Sequence, residues 1–158
     1  MAGDLAIDDV AATSMIDARQ AETGAFMVAD FDYYFSLQSP FSYFGNMRLQ
    51  NVALRHGALI RYKPVNLMRL FAATGGLPLA RRAPERRAYR LMELARWSDH
   101  LGIPINLEPR FFPVDETLAA RMVIGAEREG HDVGDLTTAI MRAVWELEAN
   151  IADRCTLA

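Results

Sequence analysis

Ser39 followed by Pro40, at the point where an aromatic alternation gives way to a helical pattern, is the pair in this chain best suited to chemistry. Pro40 fits the first helical position, where its missing N–H costs nothing, and Ser39 falls at the N-cap. Unpaired backbone donors beside the Ser39 hydroxyl favour an anion there. Ser before Pro is also an ordinary capping signal, and spacing alone leaves the cap as its commoner role. No histidine or acid close in sequence completes a G-x-S-x-G elbow, so nothing nearby makes the serine itself a nucleophile. The chemistry that remains is donation to a bound thiolate or carboxylate, with Asn66 of the Pro64-Val65-Asn66 segment facing the site and arginines nearby.

Other chemistries find little footing. His56, His100 and His131 each fall near a predicted helix end, which suits capping and dipole interactions rather than metal binding, and no two have ligand spacing. A single cysteine, Cys155, makes neither a zinc knuckle nor an intrachain disulfide. There is no GxGxxG or Walker A run, and Gly75-Gly76 alone does not make a phosphate loop. Sixteen of the seventeen basic residues are Arg, Lys63 being the exception, which gives some support to an anionic substrate. The net charge of −3 and the absence of recurring aromatic-basic interleaving speak against nucleic acid. No apolar run approaches the roughly 18 residues of a membrane span. Four Asp precede the first Arg, unlike a signal peptide, so the expected location is the cytoplasm.

The elements that position Ser39 follow from periodicity. Phe31, Tyr33, Phe35 and Leu37 alternate with polar residues, as a half-buried strand does. Residues 40–56 carry Phe41, Phe44, Arg48, Leu49 and Val52 at helical spacing, with Gly57 as a stop. Ala58–Lys63 predicts a second strand. Strand, helix and strand imply a parallel βαβ unit whose strand ends open a crevice holding Ser39 and the Pro64-Val65-Asn66 segment. Helices are predicted over Leu67–Ala73, Glu85–Leu101, Asp115–Glu129 and Val133–Glu148, with a loop over 102–113 that packs its aromatic residues on them. The expected inward residues are Leu118, Met122, Val123 and Ala126 in the third, and Leu136, Ile140, Val144 and Leu147 in the fourth. Trp97, at helical spacing, reads first as core. Two strands cannot satisfy both edges of a sheet, which points to more strands or a cover.

Several dispersed segments carry a resemblance: DYYFSLQSPFSYFGNMRL, YKPVNLMRLFAATGG, RAYRLMELARWSDHLGIPINLEPRFFP and WELEANIAD, in that order over about residues 29–154. Together they resemble the 2-hydroxychromene-2-carboxylate isomerases, which are similar to kappa-class glutathione transferases and DsbA-like proteins. The resemblance implies an α/β, thioredoxin-like βαβ unit with an inserted all-helical domain, and glutathione as the cofactor. It implies that Ser39 hydrogen-bonds the glutathione sulfur, with Pro40, Phe41 and Asn66 completing that site. Ser39 and Ser42 take the places of the two cysteines of a C-P-x-C motif, so disulfide exchange is not expected. Lys63, Arg81, Arg82 and Trp97 are positions for the carboxylate substrate or the helical lid.

The implied reaction is addition of the glutathione thiolate to the ring-opened form of 2-hydroxychromene-2-carboxylate, bond rotation, and elimination to trans-o-hydroxybenzylidenepyruvate. Such chemistry belongs to bacterial breakdown of naphthalene-type aromatics. Family members continue with two further strands, a cis-proline loop and a final helix. The expected organisation is therefore a flexible leader over 1–27, a βαβ part over 28–66, a helical insertion over 67–150 and a truncated return segment over 151–158. The expected assembly is a homodimer or completion by a second chain. The alternatives are a glutathione transferase-like thiol-binding protein and a noncatalytic remnant or interaction subunit.

Overall fold

A computed structural model describes residues 29–158. The leader expected over 1–27, and a short helix conceivable over 7–18, lie outside the described residues. Strand β1, Asp30–Phe35, runs into helix α1, Pro40–Arg55, and the chain returns as strand β2, Leu59–Pro64. The strands pair in parallel, Asp30 opposite Leu59 through Phe35 opposite Pro64. This is a partial thioredoxin-like βαβ unit with a two-stranded sheet, carrying a helical bundle.

The helices that follow are α2, Leu67–Thr74; α3, Pro84–Leu101; α4, Thr117–Arg128; α5, Gly134–Trp145; and α6, Arg154–Leu157. Gly75 and Gly102 close α2 and α3 in the left-handed region, at φ 74° and 64°, where a side chain would be strained. One face of the sheet is aromatic: Tyr33 stacks on Phe35 at 4.8 Å, and Tyr62 meets both rings edge-on at 5.8 Å. Helix α4 lies against β2, and its Glu127 carboxylate accepts the Tyr62 backbone N–H at 2.7 Å, covering a donor on the outer strand edge.

Helix α1 packs on α5 through polar as well as apolar contacts. Asn46 Nδ2 donates to Thr138 Oγ1 at 2.8 Å, and Gln50 Nε2 donates to the Gly134 carbonyl at 3.0 Å. A Cβ at Gly134 would stand 3.2 Å from Asp132 Oδ1 and 3.3 Å from the Gln50 amide, so a side chain there would push both by a few tenths of an ångström where the two helices approach. The core gathers Phe35, Leu37, Tyr43, Phe44, Leu94, Val123, Met141, Val144, Trp145 and Ile151. Of the two aromatics in the 102–113 loop, Phe112 lies on the helices, 4.9 Å from the Trp145 ring with the Arg90 guanidinium 5.2 Å from its centroid, while Phe111 sits beneath Arg110 of the loop itself.

Four expectations about faces are corrected. Trp97 is 41% exposed, with its edge on His100, while Trp145 is the fully buried indole. In α1 the buried stripe is Pro40, Tyr43, Phe44, Asn46 and Ala53, whereas Phe41, Arg48 and Val52 face outward. The reason is that Tyr43 turns inward, where its one hydroxyl proton is shared between two acceptors within hydrogen-bond distance, Pro104 O at 2.7 Å and Glu146 Oε1 at 2.6 Å. In α4, Met122 is exposed and Ala119 is buried in its place beside Val123. Leu147 is exposed because α5 ends at Trp145 and the chain turns through Glu148 at φ 51°.

Candidate functional site

At the carboxyl ends of β1 and β2 lies a cleft of about 380 Å³. Its apolar walls are Tyr34 and Phe35 from β1, Val65, and Leu67 and Leu70 from α2; its hydroxyls are Ser36, Ser39 and Ser42. The crevice expected from the βαβ order is therefore present, lined by Ser39 and by Val65, though not by Pro64 or Asn66.

Ser39 caps α1. Its Oγ accepts the Ser42 N–H at 3.3 Å and has no acceptor for its own proton among the described residues, so the hydroxyl is free to donate into the cleft. The first turn holds fewer open donors than a generic helix end. Pro40 has no N–H, Ser42 N–H goes to Ser39 Oγ, and Tyr43 N–H bonds the Ser39 carbonyl at 3.0 Å. Phe41 N–H is left without a partner among the described residues, and no acidic residue stands in that turn to oppose an anion. Burial raises the Tyr33 phenol above its ordinary value, partly offset by the Ser42 hydroxyl, which keeps Tyr33 protonated beside the site.

The remaining expected positions are dispersed. Pro40 is buried behind Ser39 and Phe41 is half-exposed at the rim of α1, neither one in the cleft wall. Asn66 directly follows Val65 but spends its Oδ1 capping α2, accepting Arg69 N–H at 3.1 Å. Lys63 is half-buried at the end of β2, opposite Tyr34 in register. Arg81 is exposed in a single 3₁₀ turn, and Arg82 donates from Nε to Leu77 O at 3.0 Å. With Trp97 on the exposed side of α3, none of these four lines the cleft.

Sequence reasoning missed Glu116. This carboxylate is 5% exposed and takes Ser36 Oγ at 2.8 Å, Gln38 N–H at 3.1 Å and Gln38 Nε2 at 3.3 Å. A signal was present: Glu116 lies three and seven residues before Ala119 and Val123, on the stripe that α4 buries. Among the described residues no cluster of His, Cys, Asp and Glu could hold a metal ion. No described helix is long and apolar enough to cross a membrane.

Residues 31–158 match the family described as DSBA-like thioredoxin domain. The 2-hydroxychromene-2-carboxylate isomerase of Pseudomonas putida is 33% identical over 117 residues, covering 72% of this chain and 55% of its own length. The enzyme of that name from Sphingobium xenophagum is 26% identical over 129 residues, covering 81% of this chain and 64% of its own. A solved 2-hydroxychromene-2-carboxylate isomerase structure superposes with a TM-score of 0.60 at 31% identity, over 78% of this chain and 60% of that one. The chain thus spans between half and two thirds of the length of these relatives. A thioredoxin-like βαβ unit bearing helices, with an alignment running across both parts, makes this chain a member of the DSBA-like thioredoxin domain family.

Proposed function

We propose that this chain carries the thiol-positioning part of a glutathione-dependent isomerase, acting on 2-hydroxychromene-2-carboxylate or a close aromatic relative. The observation that carries this reading is the Ser39 hydroxyl. It is held at the front of a 16-residue helix, with its proton uncommitted among the described residues, in a cleft whose walls apart from Ser36 and Ser42 are apolar or aromatic. Such a group stabilises an anion without attacking anything, and a sulfur anion is the soft, poorly hydrated kind that an apolar cleft tolerates.

The residues fit glutathione on that ground. Ser39 Oγ–H would hold the sulfur, with the open Phe41 N–H adding positive potential from the helix front beside the cleft, and Val65, Leu67 and Leu70 would pack against the rest of the thiol or the aromatic ring. When bound, glutathione supplies the thiolate that adds reversibly to a conjugated double bond and so permits rotation about it. The chain's own part is to favour the ionised thiol, orient it toward the ring and keep bulk water from the cleft. Ser42 in place of a second thiol leaves no partner for a disulfide, consistent with isomerisation rather than redox exchange.

A partner is part of the proposal. Tyr34 and Leu59 are 66% and 61% exposed on a sheet of two strands, and a second chain, either another copy or a separate one, would cover them. Calorimetric titration of the purified chain with glutathione, followed by the glutathione-dependent absorbance change of the chromene substrate, tests the reading. Saturable binding with turnover supports it, while binding with turnover of other electrophiles only would make the protein transferase-like. Absence of binding in a folded protein, whose assembly is known from size-exclusion chromatography, would end it.

A further inference from the structure

We propose that Glu116 is a positioning residue for Ser39, acting through the turn that joins β1 to α1; this rests on the thiol-binding reading of Ser39. The turn is short and closed, with Ser39 N–H donating to Ser36 O at 3.0 Å over the fully buried Leu37. Ser36 and Gln38 of this turn both reach Glu116, eighty and seventy-eight positions away in sequence. Ser36 Oγ gives its proton to the carboxylate at 2.8 and 3.0 Å, and Gln38 donates from its backbone N–H and from Nε2. Gln38 also accepts, through Oε1, the Val114 N–H at 3.2 Å. The turn is thus laced to the 114–116 segment at the head of α4.

Position 116 calls for a group that only accepts. Three donors converge on two oxygens, and an ionised carboxylate is the side chain that meets all three without presenting a hydrogen to any. Burial makes the arrangement demanding, because a carboxylate so enclosed and short of partners would be costly. The turn therefore has one favoured geometry, and that geometry sets where the Ser39 hydroxyl points and which way α1 begins. Cutting these bonds frees the turn while leaving the Ser39 side chain intact. A glutamine has the same size, but its NH2 must face a Gln38 donor.

The test compares wild type, Glu116→Gln, Ser36→Ala and Ser39→Ala. Thermal unfolding is recorded first, then backbone amide exchange over residues 36–42 without ligand, then the ultraviolet thiolate titration of bound glutathione. Glu116→Gln should speed exchange in that turn selectively and move the thiolate titration to higher pH in the direction of Ser39→Ala. It should also lower the glutathione-dependent rate roughly tenfold, as expected for a displaced rather than a deleted donor. Ser36→Ala removes a single bond from the same carboxylate and should do the same to a smaller extent, and it decides the matter if Glu116→Gln does not fold. A titration unmoved by Ser39→Ala removes the thiol reading and this inference with it. A titration moved by Ser39→Ala, but held at the wild-type position by folded Glu116→Gln and by Ser36→Ala, overturns the role of Glu116 alone.

Discussion

Replacing Ser39 by alanine removes two interactions whose sizes the structure separates. The first is the cap. At 3.3 Å the bond from Ser42 N–H is beyond the usual range, so its loss belongs at the low end of measured cap deletions, about 0.5–1 kcal/mol. In a chain of this length that lowers the melting temperature by roughly 1–4 °C. The second is the free proton of the hydroxyl. A hydrogen bond to an ionised partner is worth about 1.5–3 kcal/mol, which predicts a loss of roughly 10- to 100-fold in the glutathione-dependent rate.

Calorimetry in two buffers of different ionisation enthalpy reads the cause directly. If Ser39 stabilises the thiolate, glutathione binding near neutral pH releases a proton from a thiol whose free pKa is about 8.5, and Ser39→Ala releases less. Ser39→Asp is the companion. It restores a capping acceptor but sets a carboxylate against the sulfur, so it should keep wild-type stability and lose binding. A folded Ser39→Ala protein with unchanged affinity, unchanged proton release and unchanged rate would refute the reasoning.

Other expectations are simpler to read. Trp145→Ala, which empties the fully buried indole site beneath Phe112 and Arg90, should cost about 3–5 kcal/mol in a denaturant titration. The Glu146 carboxyl is held below its ordinary value of 4.5 chiefly by its hydrogen bond from Arg142, against which burial works, with a smaller lowering from Tyr43. Its stabilisation is therefore fully present above pH 4.5 and is lost as pH falls through the lower folded value, a dependence that Glu146→Gln should flatten in acid unfolding. Cys155→Ser alters an exposed thiol in the last short helix and should leave glutathione binding unchanged by calorimetry.

Local rules carried much of this architecture. The Ser39-Pro40 start of α1, the glycine stops after α2 and α3, and the βαβ order are each decided within a few residues, because caps, φ restrictions and side-chain period act at that range. The two strands and helices α1 to α5 fall within a few residues of the ranges that periodicity predicts, while α6 is not among those ranges, and the crevice holding Ser39 and Val65 follows from strand order.

Which face of each helix turned inward was another matter. Trp97 and Trp145 both sit in helices at plausible spacing, and only the position of Phe112 and Arg90 chose Trp145 for the core. Tyr43 displaced Phe41 from the buried stripe because the Pro104 carbonyl and Glu146 waited for its hydroxyl, some sixty and one hundred residues away. The path of the 75–84 loop left Arg81 and Arg82 outside the cleft, whereas the Asn66 cap on α2 is a local bond to Arg69 three residues on. The sequence by itself determined the helix front that bears the Ser39 hydroxyl, since that depends on neighbours along the chain. Tertiary structure alone brought Glu116 beneath the turn that aims it, because hydrogen bonds between residues far apart form only where packing has already placed both partners.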